Sequence, residues 1–189
     1  MAIKDKIDLS IFKIITRAVI GSYDLDVMAN QLAQLLVGTM EIKGCTIFVL
    51  NPETDELEVL TSFGLSTNYM NKGPVSIGQS IGWTSKIEPI VISDITKSDR
   101  LQYPENAKEE GIGAIVSLPI TYHSKIIGAL RLYHYETWDV SEVDLDSLSV
   151  LAENIGRAMI SARIFNAFQS VKDTVNEVHT IWLETKEDK

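Results

Sequence analysis

Cysteine is the residue type that this sequence most nearly lacks. The chain of 189 residues contains one cysteine, Cys45, which lies inside an apolar run. A single cysteine excludes a disulfide framework within one chain and a zinc site built from several thiolates. We therefore interpret Cys45 as a small buried hydrophobic residue. The same scarcity is compatible with a reducing compartment.

Basic residues and long hydrophobic runs are also scarce. Lysine and arginine number 17 against 26 acidic residues, which gives a net charge of −9. Nucleic-acid grooves and anionic membrane surfaces need clustered cations, so we expect neither as a partner. No window contains the roughly 18 consecutive apolar residues of a membrane span, and the first residues lack the apolar core of a signal peptide. The expectation is a cytoplasmic protein.

Proline is absent from both ends of the chain, since all five prolines lie between Pro52 and Pro119. Both ends are therefore able to form long helices. Apolar periodicity predicts helices over 4–20 and 24–41 and a further helix from 141. Asp24 or Ser22 is expected to cap the second helix, and Ser141 the last.

Two hairpins are the clearest strand signals. The first pairs strands over 44–50 and 57–63, and the second pairs strands over 114–121 and 125–134, with a short strand over 90–93 between them. Alternation in the second hairpin predicts one dry face made of Val116, Leu118, Ile120, Leu130 and Leu132. The opposite, mixed face would hold Ser117, Thr121, Ala129, Arg131 and Tyr133. The fold class is α+β, a central antiparallel sheet with helices from both chain ends on its dry face.

A long crossover connects the two hairpins. It runs from Gly64 to Gly113 and contains six glycines and three prolines. We expect a short helix starting near Ser80 and another with Pro104 in its first turn. Long, partly structured connections inside a compact domain are commonly functional.

The C-terminal segment has two apolar stripes. The first faces the domain, and the second continues beyond it. Its spacing of 4-3-4-3-4 is a heptad pattern, formed by Ile164, Phe168, Val171, Val175, Val178 and Trp182. We assign 1–165 to the domain and 166–189 to a helical extension. The extension predicts a homodimer through terminal helices, with packing within the chain or fraying as the alternatives.

Taken together, these segments resemble a GAF domain, a sensor module related to PAS domains. The resemblance covers about 22–165 and rests on DLDVMANQLAQLL, CTIFVLNPETDELEVLTSFGLS, GQSIGWTSKIEPIVISDI and GIGAIVSLPITYHSKIIGALRLYH. It implies a six-stranded antiparallel sheet flanked by helices. It also implies a pocket on the face opposite the helix bundle, roofed by the crossover, and dimerisation through terminal helices.

Several ligands known for this family are disfavoured by the residues present. Asn71-Lys72 lacks the following Phe and Asp-Glu of cyclic-nucleotide binders, so we interpret it as a surface turn. No cysteine lies beyond Cys45 for bilin attachment, and one cysteine cannot support the thiol–disulfide turnover of the free methionine-sulfoxide reductases. Phosphate binding near Ser80 and haem ligation by His134 are both less favoured than a packing role.

The remaining candidates line the expected pocket. They are Trp83, Asp94, Tyr103, Ser117, Arg131 and Tyr133. A guanidinium on an enclosed face needs a carboxylate or phosphate partner. For Arg131 that partner is either a ligand acid or an internal one, Asp94 or a glutamate, and we favour the internal salt bridge. Trp83 and Tyr103 would stack on a ligand ring or fill the core.

Three functions are compatible with these features. The favoured one is a non-catalytic sensor that binds a small molecule of unknown identity and signals through its terminal helices to a downstream protein. The second is a dimerisation module with a closed pocket. The third, an enzyme on the same scaffold, is the minority interpretation because no catalytic constellation stands out. No cofactor is identified, and no metal site is expected.

Overall fold

The computed structural model describes residues 7–20, 24–78 and 87–187. The short helix predicted near Ser80 and the candidate residue Trp83 lie outside these ranges.

The core of the fold is a six-stranded sheet in which every neighbouring pair is antiparallel. Its strands are β1 Gly44–Asn51, β2 Glu56–Phe63, β3 Val75–Ser76, β4 Ile90–Ile92, β5 Ala114–Tyr122 and β6 Lys125–His134. Their order across the sheet is β3-β2-β1-β6-β5-β4, so the two hairpins meet where β1 pairs with β6. This confirms the predicted α+β class with its central antiparallel sheet.

The helices lie at both chain ends and within the crossover. They are α1 Leu9–Ile20, α2 Leu25–Met40, α3 Thr67–Met70, α4 Pro104–Glu109 and α5 Glu142–Glu187, with a 3-10 helix over Ile95–Lys97. Asp24 caps α2 by accepting hydrogen bonds from the backbone N–H groups of Asp26 and Val27. The sequence patterns missed α3 and β3, which are four and two residues long. The C-terminal segment forms one continuous helix of 46 residues.

The dry face of the sheet packs on α1, α2 and α5. The five residues predicted for that face are all buried in this core: Val116, Leu118, Ile120, Leu130 and Leu132. Gly156 brings α5 so close to β5 that a Cβ built on it would lie 2.3 Å from the carbonyl oxygen of Thr121. None of the described helices combines the length and apolar character that a membrane span requires.

The other face of the sheet has a core of its own beneath the crossover. Its buried residues come from the sheet and from the segments that cover it, and include Phe48, Ala129 and Tyr133 from the strands and Tyr69 and Ala107 from α3 and α4. The crossover therefore covers this face, as the resemblance implied.

Candidate ligand-binding face

A row of polar side chains runs across the crossover-covered face of the sheet. Thr46 is paired in register with both Ser62 and Arg131, and Arg131 is paired with Ser117. Residues directly opposite each other on neighbouring strands point to the same face. Four strands thus contribute one polar row, and the hydroxyl oxygens of Thr46 and Ser62 lie 3.1 Å apart within it.

Arg131 is the charged member of this row. It lies on the interior strand β6 and is only 4% exposed. Its Nε donates a hydrogen bond of 3.3 Å to Ser117 Oγ, and its Cζ lies 5.2 Å from the centre of the Phe48 ring. The hydrogen bond and the cation–π contact together fix the orientation of the guanidinium group.

Two tyrosines are packed beside Arg131. The rings of Tyr69 and Tyr133 meet edge to face, with centroids 5.9 Å apart, and both residues are buried. Burial raises the pKa of Tyr133, while the positive charge of Arg131 and hydrogen bonds with Thr46 and Arg131 oppose that rise. Burial also raises the pKa of Tyr69, and Arg131 again opposes the shift. Both phenols therefore stay protonated as hydrogen-bond donors at neutral pH.

Lys72 adds a second cation, from the residues that follow α3. Its Nζ lies 3.9 Å from the centre of the Tyr69 ring and donates a hydrogen bond of 3.1 Å to the Tyr69 carbonyl oxygen. Burial, followed by the positive charge of Arg131, lowers the pKa of Lys72 to about 8. Asn71 and Lys72 lie in the turn that follows α3, and Lys72 is half-buried there.

Glu110 is the acidic residue next to this group, and it has other partners. Its carboxylate accepts hydrogen bonds from the Ser66 backbone N–H and the Ser66 hydroxyl, and it lies 3.5 Å from Lys43 Nζ. Burial acts to raise the pKa of Glu110, but the Ser66 hydrogen bonds and the charge of Lys43 outweigh it, so the pKa is lowered. Glu110 is therefore ionised and joins α3 and α4 to the start of β1.

The structure places Asp94 away from Arg131. Its carboxylate accepts hydrogen bonds from Thr96 N and Thr96 Oγ1 and lies 2.9 Å from Lys97 Nζ, capping the 3-10 helix. The Thr96 side-chain and Lys97 hydrogen bonds are the main causes that hold its pKa at about 2. Asp94 is therefore not the internal partner of Arg131, because a cap formed by residues two and three positions away already holds this carboxylate. The other internal partner that we offered, a glutamate, stays a prediction.

Tyr103 positions the crossover. Its hydroxyl donates a hydrogen bond of 2.7 Å to the Pro74 carbonyl oxygen. The preceding Gly73 has φ +124°, and a Cβ there would lie 2.7 Å from the Tyr103 hydroxyl. Tyr103 thus holds the loop before β3, while Ser117, Arg131 and Tyr133 meet on the sheet itself.

Thr121 does not extend the polar row. A bulge between Ile120 and Thr121 interrupts the register of β5 with β6. Thr121 lines a cavity of about 460 Å³ between the hairpin turn and α5, together with Glu153 and Arg157. Within the described ranges, histidine, cysteine and acidic side chains form no group that could hold a metal ion.

Sequence reasoning missed Thr46, Ser62, Tyr69 and Lys72. Thr46 had a usable signal, because it alternates with Cys45 and Ile47, which are both buried on the helix side. Tyr69 and Lys72 had none, since they meet Arg131 only through the path of the crossover.

A sheet with terminal helices on one face, and a buried polar row beneath a crossover on the other, defines this α+β domain. The family model described as "GAF domain" matches residues 22–159, and the chain belongs to the GAF domain family. A comparison with curated protein sequences finds no match.

Solved structures share this fold at low sequence identity. The GAF domain of a phosphoenolpyruvate-protein phosphotransferase from Coxiella burnetii is 21% identical, with a TM-score of 0.74 over 84% of this chain and 96% of that one. Free methionine-R-sulfoxide reductase from Neisseria meningitidis is 15% identical, with a TM-score of 0.69 over 86% and 97%. A domain of a putative two-component sensor histidine kinase from Sinorhizobium meliloti is 16% identical, with a TM-score of 0.62 over 78% and 99%. These similarities concern the fold.

Proposed function

We propose that this chain is a non-catalytic regulatory GAF domain of the cytoplasm, which binds a small molecule beneath the crossover and signals through its terminal helices to a downstream protein. The main support is the buried polar row around Arg131, on the sheet face opposite the helices. Burying a guanidinium group costs desolvation free energy, so a core that served stability alone would gain more from an apolar residue at this position. Sensor proteins among the structural relatives support the same class of function.

The chemistry of Cys45 supports a non-catalytic role, although one structural relative is a reductase. Cys45 is fully buried in the helix-side core, and burial raises the pKa of its thiol. Thiol–disulfide turnover needs an accessible thiolate and a second thiol. The chain has neither at this position.

The path of the signal follows from alternation along β6. Arg131 points to the crossover side, whereas its neighbours Leu130 and Leu132 are buried in the helix-side core with Leu151 and Ile155 of α5. A ligand that moves Arg131 must therefore move residues that contact α5, because strand residues on opposite faces share one backbone. Gly156 allows α5 to approach the backbone of Thr121 on β5 closely, which supports transmission from the sheet to the helix.

A second copy of the chain is the partner that we propose for α5. The C-terminal half of this helix exposes four apolar side chains at heptad spacing, each more than 60% exposed: Ile164, Phe168, Val171 and Val175. Such a stripe on a helix that extends beyond the sheet is typical of a coiled-coil dimer.

A dimerisation module without a ligand is the second candidate. It is favoured by the 4% exposure of Arg131, which is compatible with a permanently closed face.

Ligand-dependent crosslinking separates the two functions. Phe168→Cys places a thiol in the stripe, while the buried Cys45 makes the parent chain a built-in control. Thermal-shift screening against a metabolite panel supplies the ligand.

We expect a stabilising compound to change the rate of disulfide formation between Phe168→Cys chains. Stabilisation without any change in the crosslinking rate would overturn the proposed signalling through the terminal helices. Crosslinking without any stabilising compound would favour the dimerisation module.

A further inference from the structure

Four side chains meet beneath α3, and all of them present hydrogen-bond donors. We call Arg131, Lys72, Tyr69 and Tyr133 the basic cluster. Lys72 Nζ lies on the Tyr69 ring at 3.9 Å, and that ring packs against Tyr133 at 5.9 Å. The charge of Arg131 acts on the pKa of each of the other three. The basic cluster is therefore one electrostatic unit.

Cations outnumber acidic residues among the charged groups that act on Tyr69, Tyr133 and Lys72 and their ion-pair partner Lys43. Arg131 and Lys72 are cations, and Glu110 is the acidic residue that acts on Lys72. Glu110 is itself paired with a third cation, Lys43. These described residues hold three positive charges and one negative charge, in a chain whose net charge is −9. In partly buried surroundings such an excess attracts an anion more strongly than it would in water.

The hydrogen-bond donors of the basic cluster also favour an anion. Guanidinium and ammonium groups donate hydrogen bonds and cannot accept them, and both phenols are protonated at neutral pH. Carboxylate and phosphate oxygens accept several hydrogen bonds at once and form their strongest ones with charged donors. The hydrogen bond to Ser117 and the Phe48 ring set the plane of the guanidinium in advance, which lowers the cost of binding.

We propose that the basic cluster binds a small organic anion with a carboxylate or phosphate group, between β6 and the residues after α3. The inference rests on the ligand-binding function proposed above and adds the chemical class of the ligand. Arg131 would supply the paired donors, and Lys72 would close the site from the edge of the crossover.

Matched pairs of compounds test the class directly on the full chain. The carboxylate arm contains succinate, with its uncharged diamide, succinamide, as the counterpart that lacks both carboxylates. The phosphate arm contains glucose 6-phosphate and AMP with glucose and adenosine. Thermal shift at fixed ionic strength, set by sodium chloride, is followed by calorimetric titration of every stabilising compound.

We expect at least one anion to stabilise the chain saturably, and its counterpart to do so at least about tenfold more weakly. The arm that responds identifies the anionic group. Stabilisation by the neutral compounds alone would overturn the anionic class and leave the proposed ligand-binding function standing. Stabilisation by no member of either set would overturn the anionic class, whereas the ligand-binding function is overturned only if the metabolite panel also contains no stabilising compound.

Variants locate the binding. Arg131→Lys keeps the charge but loses the planar fork, and we expect it to weaken the anion at least about tenfold. Arg131 is buried, so Lys72→Met provides a second variant at a half-buried position, with the same expected loss. Lys125→Met, at the exposed start of β6, is the matched control and should bind as the parent does. Unchanged affinity in Lys72→Met would overturn the placement.

The pH dependence supplies an independent readout. Groups that act on Lys72 are Arg131, which lowers its pKa, and Glu110, which raises it. Because the pKa is about 8, Lys72 loses its charge between neutral and mildly alkaline pH. Anion affinity should fall over that interval in the parent and stay level in Lys72→Met; an equal fall in both would contradict the role of Lys72.

Discussion

Arg131 and Ser117 lie directly opposite each other on β6 and β5, and the Arg131 Nε donates a hydrogen bond of 3.3 Å to the Ser117 hydroxyl. Both residues are buried, at 4% and 0% exposure. A hydrogen bond to a charged group contributes more than one between neutral groups, since removing it leaves a charged donor without that acceptor. This pair therefore connects the two strands of the second hairpin on the candidate ligand-binding face.

Ser117→Ala should lower the free energy of unfolding by about 2 kcal/mol, because a buried charged donor loses its acceptor while little volume is lost. Urea unfolding followed by circular dichroism measures the change. Ser10→Ala, at an exposed position on α1, is the control and should change stability by less than about 0.5 kcal/mol. Equal effects of the two substitutions would show that the hydroxyl contributes nothing specific.

The pairing of Ser117 with Arg131 could be predicted from alternation, whereas the residues above it could not. Period-two patterns identified both hairpins and assigned Leu130 and Arg131 to opposite faces correctly. The helix α3 is four residues long, and its Ser66 cap is held by Glu110, a residue 44 positions away. A segment that depends on such distant contacts has no local period to detect.

Asp94 illustrates how a local contact can replace an expected distant one. It was one of the two internal partners offered for Arg131, yet Thr96 and Lys97 follow within three residues and satisfy its carboxylate locally. Short-range capping costs less chain entropy than a contact across the sheet. The local pattern of Asp followed by Thr was the more informative signal.

Lys72 should make stability rise with pH. Its pKa is about 8 in the folded chain against an ordinary value of 10.5, so between these values the unfolded chain holds more protons. The free energy of unfolding then increases as the pH rises through this interval, because deprotonation removes the cost of burying the charge. The difference between parent and Lys72→Met, measured by urea unfolding near pH 7 and near pH 9.5, isolates this effect from the tyrosines, which both chains share.

Lys125→Met provides the reference for that measurement, because Lys125 is exposed. Its difference from the parent should be the same at both pH values. A parent chain that gained no stability relative to Lys72→Met at the higher pH would contradict the burial of the Lys72 ammonium group.

Gly156→Ala should destabilise the fold by about 2–3 kcal/mol, although alanine is the better helix former. The new Cβ would lie 2.3 Å from the Thr121 carbonyl oxygen, so α5 must move away from β5. Gly38→Ala is the matched control on α2, where a Cβ meets nothing within 4 Å. That variant should be more stable than the parent by about 0.5–1 kcal/mol. Thermal and urea unfolding would contradict the close packing of α5 if both variants changed stability in the same direction.

The exposed stripe on α5 leads to a prediction about assembly. Phe168 and Val175 are 66% and 61% exposed in the single chain and lie seven residues apart, so they occupy the same heptad position. Phe168→Asp combined with Val175→Asp would place like charges opposite each other in the proposed symmetric dimer, and this double variant should be a monomer at micromolar concentration. Sedimentation velocity measures the mass directly. Ser170→Asp adds a charge to an exposed position on the opposite side of the helix and should leave the dimer intact. A parent chain that sediments as a monomer at the same concentration would contradict the coiled coil. The four apolar side chains of the stripe would then lie in water without a partner.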